Sequence, residues 1–68
     1  MEYSIFIQYD TQDKIFVASI PELSGCIAHG DTREQAMQEI EVAKELWLET
    51  AKEKHIPIPE PSYYNAIA

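Results

Sequence analysis

Chemistry near neutral pH needs a side chain that can move a proton, attack an electrophile or hold a cation, and this chain offers few of them. His29 and His55 are the general-base candidates, and Cys26 is the single thiol. Neither histidine stands at a spacing that pairs it with a nucleophile and an orienting acid. His29 reads as a strand-end residue, and His55 as a helix C-terminal residue suited to the negative pole of the helix dipole. Cys26 has no His and Asn pattern to activate it, and a partly buried free cysteine acts as a small apolar side chain. One cysteine and two distant histidines make no zinc spacing. Two-metal nuclease chemistry needs several carboxylates converging on cations about 3.5–4 Å apart. Asp10, Asp13, Glu22 and Asp31 fall instead in expected turns, and no carboxylate interrupts the stretch from Tyr3 to Tyr9. These residues predict no enzyme, no metal and no cofactor.

The carboxylates matter more as a set. Glu41, Glu45, Glu49 and Glu53 recur every four residues, which on a helix lines like charges along one ridge at a cost of about 0.2–0.5 kcal/mol per pair. Lys44 and Lys52, each three residues after a glutamate, offset part of that cost. Such a ridge is either an ordinary solvated face or an acidic docking surface that steers a basic partner. Twelve acidic residues against five basic ones give a net charge of -7, which disfavours direct nucleic-acid binding because phosphate contacts need Lys and Arg. Tyr63 and Tyr64 lack interleaved basic residues, so they are expected to pack on the body or on a neighbouring subunit rather than stack on bases.

The elements that carry these residues follow from the periodicities. Tyr3, Ile5, Ile7 and Tyr9 alternate with Ser4, Phe6 and Gln8, the period of two that predicts a strand from Tyr3 to Tyr9. Asp10 to Lys14 is a polar turn of hairpin length. Ile15 to Ile20 predicts a second strand, with Phe16, Ala18 and Ile20 on one side and Ile15, Val17 and Ser19 on the other. Pro21 and Gly25 break the chain, Cys26 to His29 predicts a short third strand, and Gly30 ends it. At Thr32 the period changes. Thr32 with Gln35, and Asp31 with Glu34, both fit a capping box. Ala36, Met37, Ile40, Ala43, Leu46, Trp47, Thr50 and Ala51 then form one apolar stripe, placing Met37 and Trp47 in the core of a helix that runs to about Lys54. Ile56 to Pro61 has a proline at every second position and predicts an extended connector, after which Ser62 to Ala68 is a candidate fourth strand. The expected fold class is α+β: a three- or four-stranded antiparallel sheet with one long helix packed on one face, in the order βββαβ.

Sixty-eight residues make a single small domain, expected to span 1–68 with no second module. At roughly 0.05–0.15 kcal/mol per residue its stability would be about 3–10 kcal/mol, so help from another chain is expected. One helix covers one face of the sheet, leaving Phe6, Ile15 and Val17 or their opposites apolar on the second, and this predicts a homo-oligomer, a dimer or tetramer. No apolar run approaches a membrane span and no leader-like segment stands at the N-terminus, so a cytoplasmic protein is expected.

The segment Ile20-Pro21-Glu22-Leu23-Ser24-Gly25-Cys26-Ile27-Ala28-His29-Gly30-Asp31-Thr32-Arg33-Glu34-Gln35-Ala36 resembles the HicB antitoxin family. The shared pattern is Pro-Glu-Leu-x-Gly-Cys, a short gap, Gly-Asp-Thr, then an acidic residue and Ala opening a helix. The preceding hairpin and the Pro-Ile-Pro-Glu-Pro tail extend the likeness over nearly the whole chain. The resemblance implies a reduced RNase H-like fold and a non-catalytic role. It also implies that the chain binds a small basic HicA-like toxin, an mRNA-cleaving RNase, and covers its active surface. Pro21, Glu22 and Leu23 together with Glu41, Glu45 and Glu49 are the partner-binding candidates. Many family members carry a further C-terminal DNA-binding domain, which is not expected within these 68 residues. The competing readings are a non-catalytic oligomeric regulatory or structural module with another protein partner, and a residual metal-dependent nuclease on the same scaffold.

Overall fold

The computed structural model describes residues 3–60 of the chain. Three strands, β1 (Phe6–Asp10), β2 (Ile15–Ser19) and β3 (Ile27–Gly30), form an antiparallel sheet in that spatial order, followed by one helix, α1 (Arg33–Glu53). The α+β class and the βββα order expected from the periodicities are those observed. The fourth strand expected over Ser62 to Ala68 lies outside the described residues.

The hairpin forms because Asp10 organises its own turn. Its carboxylate accepts from the amides of Gln12 at 2.9 Å and Asp13 at 3.3 Å, and its carbonyl accepts from Lys14 N at 2.7 Å, with Lys14 left-handed at φ 57°. The register that follows pairs Ile7 with Ala18 and Tyr9 with Phe16, so the apolar set sits on one face. Both strands are shorter than their alternation predicts. The Ile20 amide makes one in-register bond to the Cys26 carbonyl at 3.1 Å, but the Cys26 amide that would return it donates to the Leu23 carbonyl, and the Ser4 amide donates to the Glu22 carboxylate at 3.1–3.2 Å. For the same reason β3 starts one residue later than expected, because Cys26 closes the loop rather than opening the strand.

Of the two possible caps, Thr32 is the one used. Its φ/ψ of -128°/166° is extended, and its hydroxyl accepts from Gln35 N at 3.0 Å. The Gln35 side chain reaches back one residue further than the usual box, accepting from Asp31 N at 2.7 Å. At the other end Lys54 is the cap, and His55 takes the left-handed conformation at φ 57°. Ile56 N then donates to Ala51 O at 2.8 Å and His55 N to Lys52 O at 3.3 Å, a Schellman closure. The connector turns back across the end of the sheet, where the Tyr3 hydroxyl donates to the Pro59 carbonyl at 2.6 Å.

The core is small: Ala18, Ile20, Leu23, Cys26, Ala36 and Ile40 are buried together, with Tyr3, Ile7, Phe16, Trp47 and Leu48 packed around them. Two expectations need correction here. Met37 is 42% exposed and Leu46 64%, although both lie on the predicted stripe. The stripe is broader than a three-stranded sheet can cover, and these residues flank it on opposite sides while Ile40 and Ala36 take its centre. α1 packs most closely on β3, which leaves Tyr9 on the far strand half exposed against the edge of Phe16, ring centroids 5.0 Å apart.

Candidate functional site

The loop between β2 and β3 is built as a plug. Leu23 N donates to Ile20 O and Cys26 N to Leu23 O, both at 3.0 Å, and Gly25 supplies the left-handed φ of 79° that lets the chain turn back. Leu23 is thereby driven into the core at 1% exposure. Leu23, expected among the partner-binding residues, is placed with its side chain in the core, where it anchors the loop. Glu22 is half-buried with its carboxylate facing the Ser4 amide, and only Pro21 of the three is fully at the surface. The indole N–H of Trp47 donates to the Ser24 carbonyl at 2.8 Å, fastening the same loop to α1.

The helix candidates are placed differently. Glu45 and Glu49 are exposed, and Glu41 is drawn into an ion pair with Lys44, 2.9 Å between Nζ and the carboxylate. Glu45 and Glu49 are therefore the outward charges of the predicted ridge, at the small cost of an exposed, screened surface. Val42, one residue beyond Glu41 and four before Leu46, is 63% exposed and was not singled out by the stripe. Its signal in the sequence is that it is a β-branched apolar residue standing off the stripe.

A groove of about 460 Å³ runs between the C-terminal half of α1 and the end of the β2–β3 loop where β3 begins, lined by Gly25, Cys26, Ile27, Leu46, Trp47 and Ile56 among others. A smaller one of about 370 Å³ continues the seam at the helix N-terminus, between His29, Gly30 and Asp31 on one side and Gln35 and Glu39 on the other. Ile27 is 61% and Ile56 45% exposed at the first groove. The sheet face turned away from α1 carries Val17 at its centre, with Ile15 and Ile27 on the neighbouring registers.

The chemistry-bearing residues are not brought together. Cys26 is buried, and burial pushes its thiol above the ordinary range, the Lys44 ammonium offsetting part of the shift. A thiol so held is a poor nucleophile. His29 is exposed at the sheet and His55 at the end of α1. Asp10 is occupied by turn amides. Among the described residues no three His, Cys, Asp or Glu side chains are grouped to hold a metal, and no helix is long and apolar enough to cross a membrane.

Residues 3–68 match the model of a protein family described as a HicB-like antitoxin of a bacterial toxin-antitoxin system. The chain is similar to UPF0150 protein ssl0259 of Synechocystis sp., 44% identical over 59 residues that cover 87% of this chain and 80% of the relative. UPF0150 protein ssr1765 of the same organism is 36% identical over 58 residues, covering 85% and 72%. UPF0150 protein Ta0767 of Thermoplasma acidophilum is 32% identical over 59 residues, covering 87% and 84%. No solved structure matches the chain at a significant level.

Proposed function

The chain belongs to the HicB-like antitoxin family, and from that premise we propose that it neutralises a small basic HicA-like RNase toxin in the cytoplasm by binding it and covering its active surface. The observation that carries this reading is the charge excess: a net charge of -7, with Glu45 and Glu49 held outward on a rigid helix. A cationic RNA-cleaving surface finds in them a competitor for its phosphate-binding side chains. Electrostatic attraction of this kind speeds encounter and weakens as salt rises. Glu41, tied to Lys44, contributes less, and Pro21 and Glu22 form a secondary contact at the loop. Inhibition by coverage needs complementarity of shape and charge and no catalytic group.

Self-association fits the same role. The apolar centre of the sheet face that α1 leaves open, Val17 with Ile15 and Ile27, suits a second copy in a dimer or tetramer. That would leave the helices facing outward. Co-expression with a small basic HicA-like toxin tests the proposal. A stable complex and restored growth are expected; no complex at low salt, with growth still arrested, contradicts it.

A further inference from the structure

The seam between α1 and β3 combines three features that the acidic ridge alone lacks. It is a groove, about 460 Å³, with a fully buried floor residue in Ala51 and apolar walls. Its rim carries Leu46, exposed by 64%, and Val42 one helical turn before it is exposed by 63%. Large apolar side chains so placed stand against an outer helix surface that is otherwise mostly charged or polar, and clustered exposure of this kind marks a contact surface. β3 borders the groove and, among the described residues, pairs with β2 alone, so its outer edge is open to a further strand.

Charge decides what fits there. Helical spacing sets Glu39 seven residues before Leu46, Glu49 three after it and Glu53 seven after it, all on the Leu46 side of α1. Of the cations on α1, Arg33 is stacked over the Phe16 ring at 5.5 Å, Lys44 is turned to Glu41, and Lys52 and Lys54 stand at its C-terminal end. A second copy docked on this seam would bring carboxylates against carboxylates, whereas a basic protein would meet them with opposite charge. We propose that the α1–β3 seam is the docking site for the basic partner, with Leu46 and Val42 as the apolar anchor and Glu39 and Glu49 as the charged frame. This rests on the toxin-binding reading above and gives it a location, at the seam that the end of the β2–β3 loop borders.

The test measures binding of the purified chain to a small basic HicA-like toxin at two salt concentrations, with the oligomeric state of each free variant followed by light scattering. Leu46→Asp is expected to weaken binding by about tenfold or more, and Glu39→Lys with Glu49→Lys to do the same while flattening the salt dependence. Met37→Ala, on the opposite flank of α1, should bind like the wild type. These side chains are exposed, so far-UV circular dichroism is expected to be unchanged, and the double charge reversal stands as an independent readout if Leu46→Asp unfolds. Wild-type binding that both seam variants retain overturns the location and leaves the toxin reading in place. A change in oligomeric state without loss of the partner shows that a second copy occupies the seam and also overturns it. Absence of wild-type binding removes the toxin reading itself, and the seam with it.

Discussion

Replacing Gly30 by alanine tests how α1 is seated on the sheet. Gly30 ends β3 opposite Phe16 and needs no left-handed backbone, so the effect of a methyl group is steric alone. A Cβ there would stand 2.6 Å from the Ala36 amide nitrogen and 2.8 Å from the Gln35 Cβ, well inside ordinary contact. Both neighbours belong to the first turn of α1, which the Thr32 and Gln35 hydrogen bonds hold in place, so the strand and helix must part. Overpacking of this kind costs about 1–3 kcal/mol, and the stiffer unfolded chain gives back about 0.4–1 kcal/mol. Because the clash is with helix backbone, the upper part of that range, about 2–3 kcal/mol, applies, and the net loss of about 1–2.6 kcal/mol lowers the melting temperature of a domain this size by roughly 4–20 °C. Gly25→Ala is the comparison, because its Cβ would meet nothing within 4 Å and its cost comes only from the left-handed φ of 79°. Thermal unfolding followed by circular dichroism reads both variants. A Gly30→Ala protein melting within about 2 °C of the wild type would refute the seating of α1 on β3 described above.

Three further outcomes are expected. Thr32→Ala should lose about 1 kcal/mol in denaturant unfolding, with Thr32→Ser recovering most of it, since either hydroxyl can accept from Gln35 N. His55→Gly should raise the melting temperature by a few degrees, because glycine takes φ 57° without the roughly 1–2 kcal/mol cost that a side chain brings. Cys26 has a thiol pKa raised by burial, so above the free-thiol value of about 8.5 the unfolded chain gives up its proton first. Stability should hold below that pH and decline as pH rises past it, and Cys26→Ala should remove the decline seen in urea titrations at pH 7.5 and 9.5.

What could be read from the sequence was local. The turn at Asp10 to Lys14, the cap at Thr32 and the helix end near Lys54 each depend on a few neighbouring residues, and each is found where expected. Strand ends were not legible, because competing acceptors outside the ladder set them: the Cys26 amide goes to Leu23 and the Ser4 amide to Glu22. The same limit explains Met37 and Leu46. Periodicity gives the direction of a stripe but not the width of the sheet beneath it, nor that α1 sits toward β3. Leu23 looked like a loop residue with a partner to meet, and only the hydrogen-bonded plug from Ile20 to Cys26 shows why it points inward. Glu45 and Glu49 stand outward as the spacing of four requires. The groove beside them needed the fold, since Ile27 and Leu46 are nineteen residues apart in the chain.

The central claim is that an inert acidic domain switches off a basic RNase by occupying it. Titrating the purified chain into an RNA-cleavage assay of a small basic HicA-like toxin tests this most directly. Cleavage should fall to background near stoichiometric addition at low salt, return as salt rises, and never be produced by the chain alone. Cleavage that persists at a large excess of the chain, or RNA breakdown by the chain itself, would contradict the account.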